Sequence, residues 1–194
     1  MATPRVLSEK DRQVHTYSEL WHAANCLLEL AKEQPKGSTW QYLSSTILLA
    51  FAFEAYLNHV GFLTFDNWDD LERKPPLEKL NILCDKLGIT LNKSTRPLQT
   101  VYKLFNFRNS VAHGRSEKLS TSEEISLAKA HREPVFDAHP LTEWEKLVKN
   151  SVFVERAKQD AEAVMIKIHE ARIDDKEPLF TFGIGFHSLT LISN

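Results

Sequence analysis

Apolar residues recur at helical spacing along most of the chain, which predicts an all-α protein. The spacing predicts a first helix over residues 8–33 and a last long helix over residues 151–172. Another helix is predicted to begin at the capping-box sequence Ser38-Thr39-Trp40-Gln41 and to end at residues 60–62. This helix is apolar on nearly all sides, which is typical of the central helix of a bundle.

Shorter helices are predicted between these long ones. Pro75-Pro76 is suited to the start of a short helix, which Gly88 then ends. Thr142 and Glu145 form a second capping box before another short apolar run. Together the patterns predict a bundle of about five to six helices.

Four stretches depart from helical spacing. Residues 66–74 and 115–122 are polar and are predicted to be loops. Residues 123–140 fit either a strand or a helix, although two prolines exclude one continuous helix. After Pro178, apolar residues alternate with polar or small ones, which predicts a small β extension or an apolar tail packed on a neighbour: Phe180, Phe182, Ile184 and Phe186.

Length and composition fit one globular domain. The chain has 194 residues, of which 42% are hydrophobic and 26% charged, so we expect a single domain with its core in residues 8–172 and an apolar tail over 173–194. The longest apolar run, residues 47–53, is much shorter than the roughly 20 residues of a membrane span. We therefore expect a cytoplasmic protein with no membrane partner, in which Cys26 and Cys84 are buried, reduced thiols.

An arginine interrupts the apolar face of the helix before Gly114. Arg108 lies near the middle of this face, where a guanidinium is costly unless it is paired; the apolar positions are Leu98, Val101, Leu104, Phe105, Val111 and Ala112. Glu54 is the only Asp, Glu, Lys or Arg between Trp40 and Val60. Asn58 follows Glu54 by one helical turn. We expect Glu54 to pair with Arg108.

The same region carries a titratable ring and an excess of basic residues. His113 supplies an imidazole, a side chain that often acts as a general acid or base, and Gly114 suits the position after a helix C-cap. Residues 92–118 contain six basic residues and one acidic residue, although the whole chain has a net charge of −2. This excess predicts an anionic partner, with a solvated basic helix face as the alternative.

The sequence Arg108-Asn109-Ser110-Val111-Ala112-His113 resembles the signature of the HEPN superfamily, in which a His follows an Arg by four to six residues. The helix with Glu54 and Asn58 is similar to the second helix of that family. The resemblance covers residues 38–114 and, by pattern, the closing helix. It implies a HEPN-like bundle that forms a homodimer with its Arg-His pairs facing across the interface. Many members are metal-independent endoribonucleases, often toxins or phage-defence effectors, so RNA and an antitoxin are the implied partners.

The resemblance also implies a role for each residue of the motif. His113 would transfer protons during attack by the 2′-OH of RNA, and Arg108 would stabilise charge on the phosphate. Asn109 would orient one of these groups, while Glu54, with Asn58 beside it, would support Arg108. The possible RNA-binding residues are Arg96, Lys103, Arg115 and Lys118. No cofactor is implied, and no spacing of ligand residues matches a known metal site.

Helix geometry limits how Arg108 and His113 can cooperate. Positions five apart on an ideal helix differ by about 140°, so the two side chains do not face the same way. Either the helix loosens before Gly114, or the working site combines residues from two subunits. Two alternatives stay open: a non-catalytic module that binds RNA, a nucleotide or a protein, and a buried ion pair that only fixes helix register.

Overall fold

The computed structural model describes residues 5–132, 139–173 and 177–192, and this part of the chain is mostly helical. Its helices are α1 (Thr16–Glu33), α2 (Thr39–Thr64), α3 (Trp68–Leu71), α4 (Pro76–Leu87), α5 (Leu98–Ala112), α6 (Leu127–Arg132), α7 (Glu143–Val148) and α8 (Ser151–Ala171). Two antiparallel strands, β1 (Arg5–Arg12) and β2 (Gly185–Ile192), form a small sheet. Six of these helices, α1, α2, α4, α5, α7 and α8, correspond to the helices that the patterns predict. The described residues contain two further short helices, α3 and α6.

Helix α2 is the centre of the bundle, as its composition predicts. It contacts α1, α3, α4, α5, α7 and α8. Phe53, Tyr56 and Leu57 on this helix have no exposed surface. Because α2 has neighbours on most of its sides, nearly every position on it favours an apolar residue.

The same apolar composition gives α2 the length and hydropathy of a membrane-crossing segment. Within the described part of the chain it is the one helix with these properties, and half of the apolar stretch is buried inside the protein. The central helix of a bundle and a membrane span share this composition, and only the partners of its polar residues distinguish them. Glu54, in the middle of α2, has two such partners within the protein.

Local signals predict some helix ends and miss others. Helix α4 begins at Pro76 and ends at Gly88, whose left-handed backbone (φ +67°) favours glycine. The capping box before α7 is present, with Thr142 Oγ1 accepting a hydrogen bond from the Glu145 N–H. The capping box predicted at Ser38 is wrong, because Ser38 already has helical backbone angles and its side chain makes no capping bond.

Two further predictions fail because of contacts between distant parts of the chain. The first helix begins at Thr16, and residues 8–12, predicted to be helical, belong to β1 because they pair with β2 near the other end of the chain. Residues 66–74, predicted to be a loop, contain α3. Trp68 is buried against Gly61, where any side chain would collide with the indole ring.

The segment after α8 realises both forms predicted for it. Phe180 stacks on Trp21 of α1 with ring centroids 4.8 Å apart, whereas Gly185–Ile192 forms β2. The Gln13 N–H donates to the Ile184 carbonyl oxygen (3.0 Å), which closes the base of the sheet. His15, which is buried, places its Nδ1 3.1 Å from the Thr181 carbonyl oxygen. We call the pair β1 and β2 the β-arm.

The two cysteines differ in exposure. Cys84 is buried, and this burial, with a smaller effect of Asp85, raises the pKa of its thiol to about 11. Cys26 is exposed on α1, so the prediction that it is buried is wrong; it lies on the outer side of that helix, one turn from His22. Residues 127–132 of the ambiguous stretch form α6, and residues 133–138 lie outside the described part.

Candidate functional site

Glu54 and Arg108 form the ion pair predicted from the sequence. Arg108 Nη2 lies 2.5 Å from Glu54 Oε2, which joins α5 to α2. Both side chains are mostly buried, with 22% and 23% of their surface exposed. The pairing offsets the cost of placing a guanidinium on an apolar helix face.

Glu54 also holds a second cation, Lys79 of α4, which the sequence analysis missed. Lys79 Nζ lies 2.9 Å from Glu54 Oε1, 2.9 Å from Asn58 Oδ1 and 3.0 Å from the backbone oxygen of Glu72. Lys79 has no exposed surface, so these three acceptors replace its hydration. In the sequence Lys79 adjoins the apolar stripe of α4, where a lysine usually extends to solvent, so no local signal marks it as buried.

Two cations therefore share one carboxylate. We call Glu54, Lys79, Arg108 and Asn58 the Glu54 cluster. Lys79 and Arg108 contribute two positive charges and Glu54 one negative charge, so the cluster has one positive charge in excess. Lys79 is enclosed and Arg108 is partly exposed, so the excess charge reaches solvent at Arg108.

The outer side of Arg108 is lined by an amide and an aromatic ring. Arg108 Nη1 donates to Asn109 Oδ1 (3.0 Å), and its guanidinium lies 5.5 Å from the centroid of the Phe51 ring. The Nε atom of Arg108 is buried and has no hydrogen-bond partner within the described residues. A planar guanidinium held in this way can direct its donors at the oxygens of a phosphate.

His113 lies apart from this cluster, at the end of α5. The backbone N–H of His113 donates to the Asn109 carbonyl oxygen (2.9 Å). The exposed imidazole of His113 makes no hydrogen bond to the described residues. The helix is regular through Ala112, so it does not loosen to bring His113 towards Arg108. Gly114 occupies the position after the C-cap, as predicted, but not with a left-handed backbone.

The predicted RNA-binding residues fall into two groups. Lys103, Arg115 and Lys118 are exposed. Arg96 instead forms a bidentate pair with the buried carboxylate of Asp160, at 2.8 and 2.9 Å. Burial opposes the ionisation of Asp160, but hydrogen bonds from Arg96 and Thr100 outweigh it and lower the pKa of this carboxyl. Arg96 therefore joins the start of α5 to α8.

A groove of about 310 Å³ runs between α5 and α7. On an ideal helix, Lys103, Asn106, Ser110 and His113 share one side of α5, and the first three line this groove opposite Trp144 and Lys146 of α7. A neighbouring cavity of about 250 Å³ adds Arg156 of α8. The groove and the neighbouring cavity together hold three cations and an indole ring, and the carboxylate of Glu143 in the groove pairs with Lys146. Cations beside an indole ring suit single-stranded nucleic acid.

One side of α2 is apolar and open to solvent beside the Glu54 cluster. Trp40, Phe51 and Phe62 are 67%, 41% and 71% exposed. Trp40, Ser44, Ile47, Phe51 and Ala55 recur at intervals of three and four residues, and Phe62 follows Ala55 by seven residues, or two turns, so all six lie on one stripe of the helix. We call this stripe the open face of α2. Exposed apolar stripes of this length usually mark an interaction surface.

Comparisons of this chain with family models, curated proteins and solved structures find no match. A search of the described residues for a possible metal site finds no group of three or more His, Cys, Asp and Glu side chains.

Proposed function

We propose that this chain is a HEPN-type, metal-independent endoribonuclease that acts as a homodimer in the cytoplasm. The observation that carries the proposal is Arg108, which Glu54 fixes in a cluster with excess positive charge open to solvent. Such a cation suits a phosphodiester. The resemblance of Arg108 and His113 to the HEPN signature supplies the reaction class.

The homodimer follows from the separation of Arg108 and His113 on one chain. His113 is about 7.5 Å further along α5 and points to another side, so one copy does not present both groups to one phosphate. The open face of α2 would pack against the same face of a second copy, burying Trp40 and Phe51. Because the Glu54 cluster borders this face at Phe51, both clusters would lie at the interface, where His113 of either copy completes the site.

The reaction transfers two protons and needs no added nucleophile. One His113 removes the proton from the 2′-OH, whose oxygen attacks the adjacent phosphorus and forms a 2′,3′-cyclic phosphate. The bond from phosphorus to the 5′-oxygen breaks, and His113 of the second copy protonates that oxygen. Arg108 stabilises the charge on the non-bridging oxygens, and Asn109 orients its guanidinium.

The proposal is tested by incubating the purified chain with RNA in excess chelator. We expect cleavage products that end in cyclic phosphates. His113→Ala should reduce the rate by about 10²–10⁴-fold without loss of stability, because His113 is exposed. His139→Ala, at another exposed histidine, is the matched control and should cleave at the wild-type rate. Cleavage that requires added metal, or that persists in His113→Ala, contradicts the proposal.

The groove between α5 and α7 favours one alternative, a module that binds RNA without cleaving it. Lys103, Lys146 and Arg156 would contact phosphates while a base stacks on Trp144. In this case RNA binding would weaken with added salt, would persist in His113→Ala and would be accompanied by no cleavage.

An active nuclease would instead fit a toxin or phage-defence effector with an antitoxin partner. Expression of the wild-type chain, but not of His113→Ala, would then stop cell growth.

A further inference from the structure

The β-arm extends from the bundle with every residue of both strands exposed. It carries apolar side chains that are 44–73% exposed: Val6, Leu7, Phe186, Leu189, Leu191 and Ile192. Side chains alternate along a strand, so these residues lie on both faces of the sheet. At its base the β-arm is joined to the bundle by the ion pair of Arg12 with Glu19 of α1 (3.1 Å), next to the Gln13–Ile184 hydrogen bond that links the two segments of the arm.

A two-stranded sheet in water is only marginally stable, and its open edges offer unpaired N–H and C=O groups to any other strand. Proteins usually protect such edges with charged residues. The two edges of the β-arm differ in this respect. Strand β2 carries no Asp, Glu, Lys or Arg, whereas β1 carries five of these residues: Arg5, Glu9, Lys10, Asp11 and Arg12. The edge formed by β2 is therefore the one open to pairing.

We propose that β2 pairs antiparallel with β2 of a second copy of this chain, forming a four-stranded sheet in the order β1-β2-β2-β1. The β2 edges of two copies can pair without electrostatic repulsion, because neither carries a charged residue. The charged β1 strands then form both outer edges and prevent further growth, so the sheet closes at two copies. This contact is separate from the open face of α2 and does not depend on the nuclease proposal.

Symmetry limits the register. A two-fold axis that relates neighbouring antiparallel strands is perpendicular to the sheet and preserves its faces, so opposite residues differ in number by zero or an even number. Two registers each pair seven residues of β2, one centred on Ser188 and one on Leu189. The register centred on Leu189 is favoured because it places Leu189 opposite Leu189 of the second copy, and Phe186 opposite Ile192 of that copy. These cross-strand apolar pairs stabilise the contact.

Disulfide cross-linking tests this register in the full chain. In a Cys26→Ser background, which removes the exposed native thiol, Leu189→Cys should form a covalent dimer on mild oxidation, because opposite Cα atoms lie about 4.5–5.5 Å apart. Thr190→Cys is the control for register, since it faces Ser188 of the second copy. Glu9→Cys is the control for the β1 edge. Both controls should give several-fold less dimer.

Amide hydrogen exchange on the wild-type chain tests the pairing without a substitution. Outward N–H groups of β2 should be protected at high protein concentration and should lose this protection on dilution, while those of β1 exchange rapidly throughout. Equal cross-linking in Leu189→Cys and Glu9→Cys would overturn the proposal. Rapid exchange of β2 at every concentration would also overturn it, because the edge would then be unpaired between copies.

Discussion

Two carboxylates fix α5 to the bundle, one near each end of the helix. Asp160 of α8 binds Arg96 just before α5 begins, and Glu54 of α2 binds Arg108 in its last two turns. Asp160 has one cationic partner in direct contact, which is 54% exposed, so this pair is neutral. Glu54 has two cationic partners, and one of them, Lys79, is fully enclosed. Similar ion pairs therefore differ in net charge: the Arg96–Asp160 pair is neutral and positions the helix, whereas the Glu54 cluster also presents positive charge to solvent at Arg108.

The largest expected effect comes from removing the negative charge of Glu54. Glu54→Gln leaves Lys79 buried without a counter-ion and should lower the free energy of unfolding by about 3–5 kcal/mol. The double variant Glu54→Gln with Lys79→Met should recover part of this loss, because the buried charge is also removed. Urea unfolding of purified variants measures both. A Glu54→Gln chain as stable as the wild type would show that Lys79 is solvated.

Arg108 and Arg96 should differ in activity. If the chain is the nuclease proposed above, Arg108→Met should slow RNA cleavage by about 10²–10³-fold, since it removes the cation proposed to contact the phosphate. Arg96→Met should leave the rate per folded molecule unchanged. Cleavage rates corrected for the folded fraction at each temperature test this contrast. Equal losses in the two variants would mean that Arg108 acts only through stability.

The smallest expected effect is the contribution of Asp160 and its dependence on pH. Asp160→Asn should lower the free energy of unfolding by about 1–3 kcal/mol at neutral pH. The loss is smaller than for Glu54→Gln because Arg96 is exposed and is hydrated when its partner is removed. The pKa of Asp160 is lowered in the folded chain, so its contribution is present above the ordinary value near 3.8 and is lost as the pH falls below that value. Thermal melts from pH 7 to pH 3 should show the wild type and Asp160→Asn converging in acid. A constant difference across this range would contradict the assignment.

Local patterns in the sequence predict the long helices and the Glu54–Arg108 pair because both follow from helical periodicity. A charged residue on an otherwise apolar helix face requires a counter-ion, and the sequence offers Glu54 for Arg108. Lys79 is different. Its spacing in α4 is compatible with an exposed lysine, and only the packing of α4 on α2 encloses its ammonium group.

Three of the failed predictions share a cause. Residues 8–12 form a strand because they pair with residues 185–189, Trp68 is buried because Gly61 leaves space for its ring, and Arg96 is held by Asp160. Each contact joins residues far apart in sequence, or depends on a neighbour that periodicity does not identify. The separation of Arg108 and His113 is different, because helix geometry alone predicts that the two side chains point about 140° apart.

The sequence by itself determined which segments become helices, where the apolar faces lie and which arginine needs a buried partner, because these properties depend on residues within a few turns of one another. The tertiary structure alone decided that Lys79 joins Arg108 on Glu54, that Arg96 is used to position α5, and that the two ends of the chain form an exposed sheet. Charge balance and exposure depend on which surfaces meet when the helices pack, and spacing along the chain does not encode that arrangement directly.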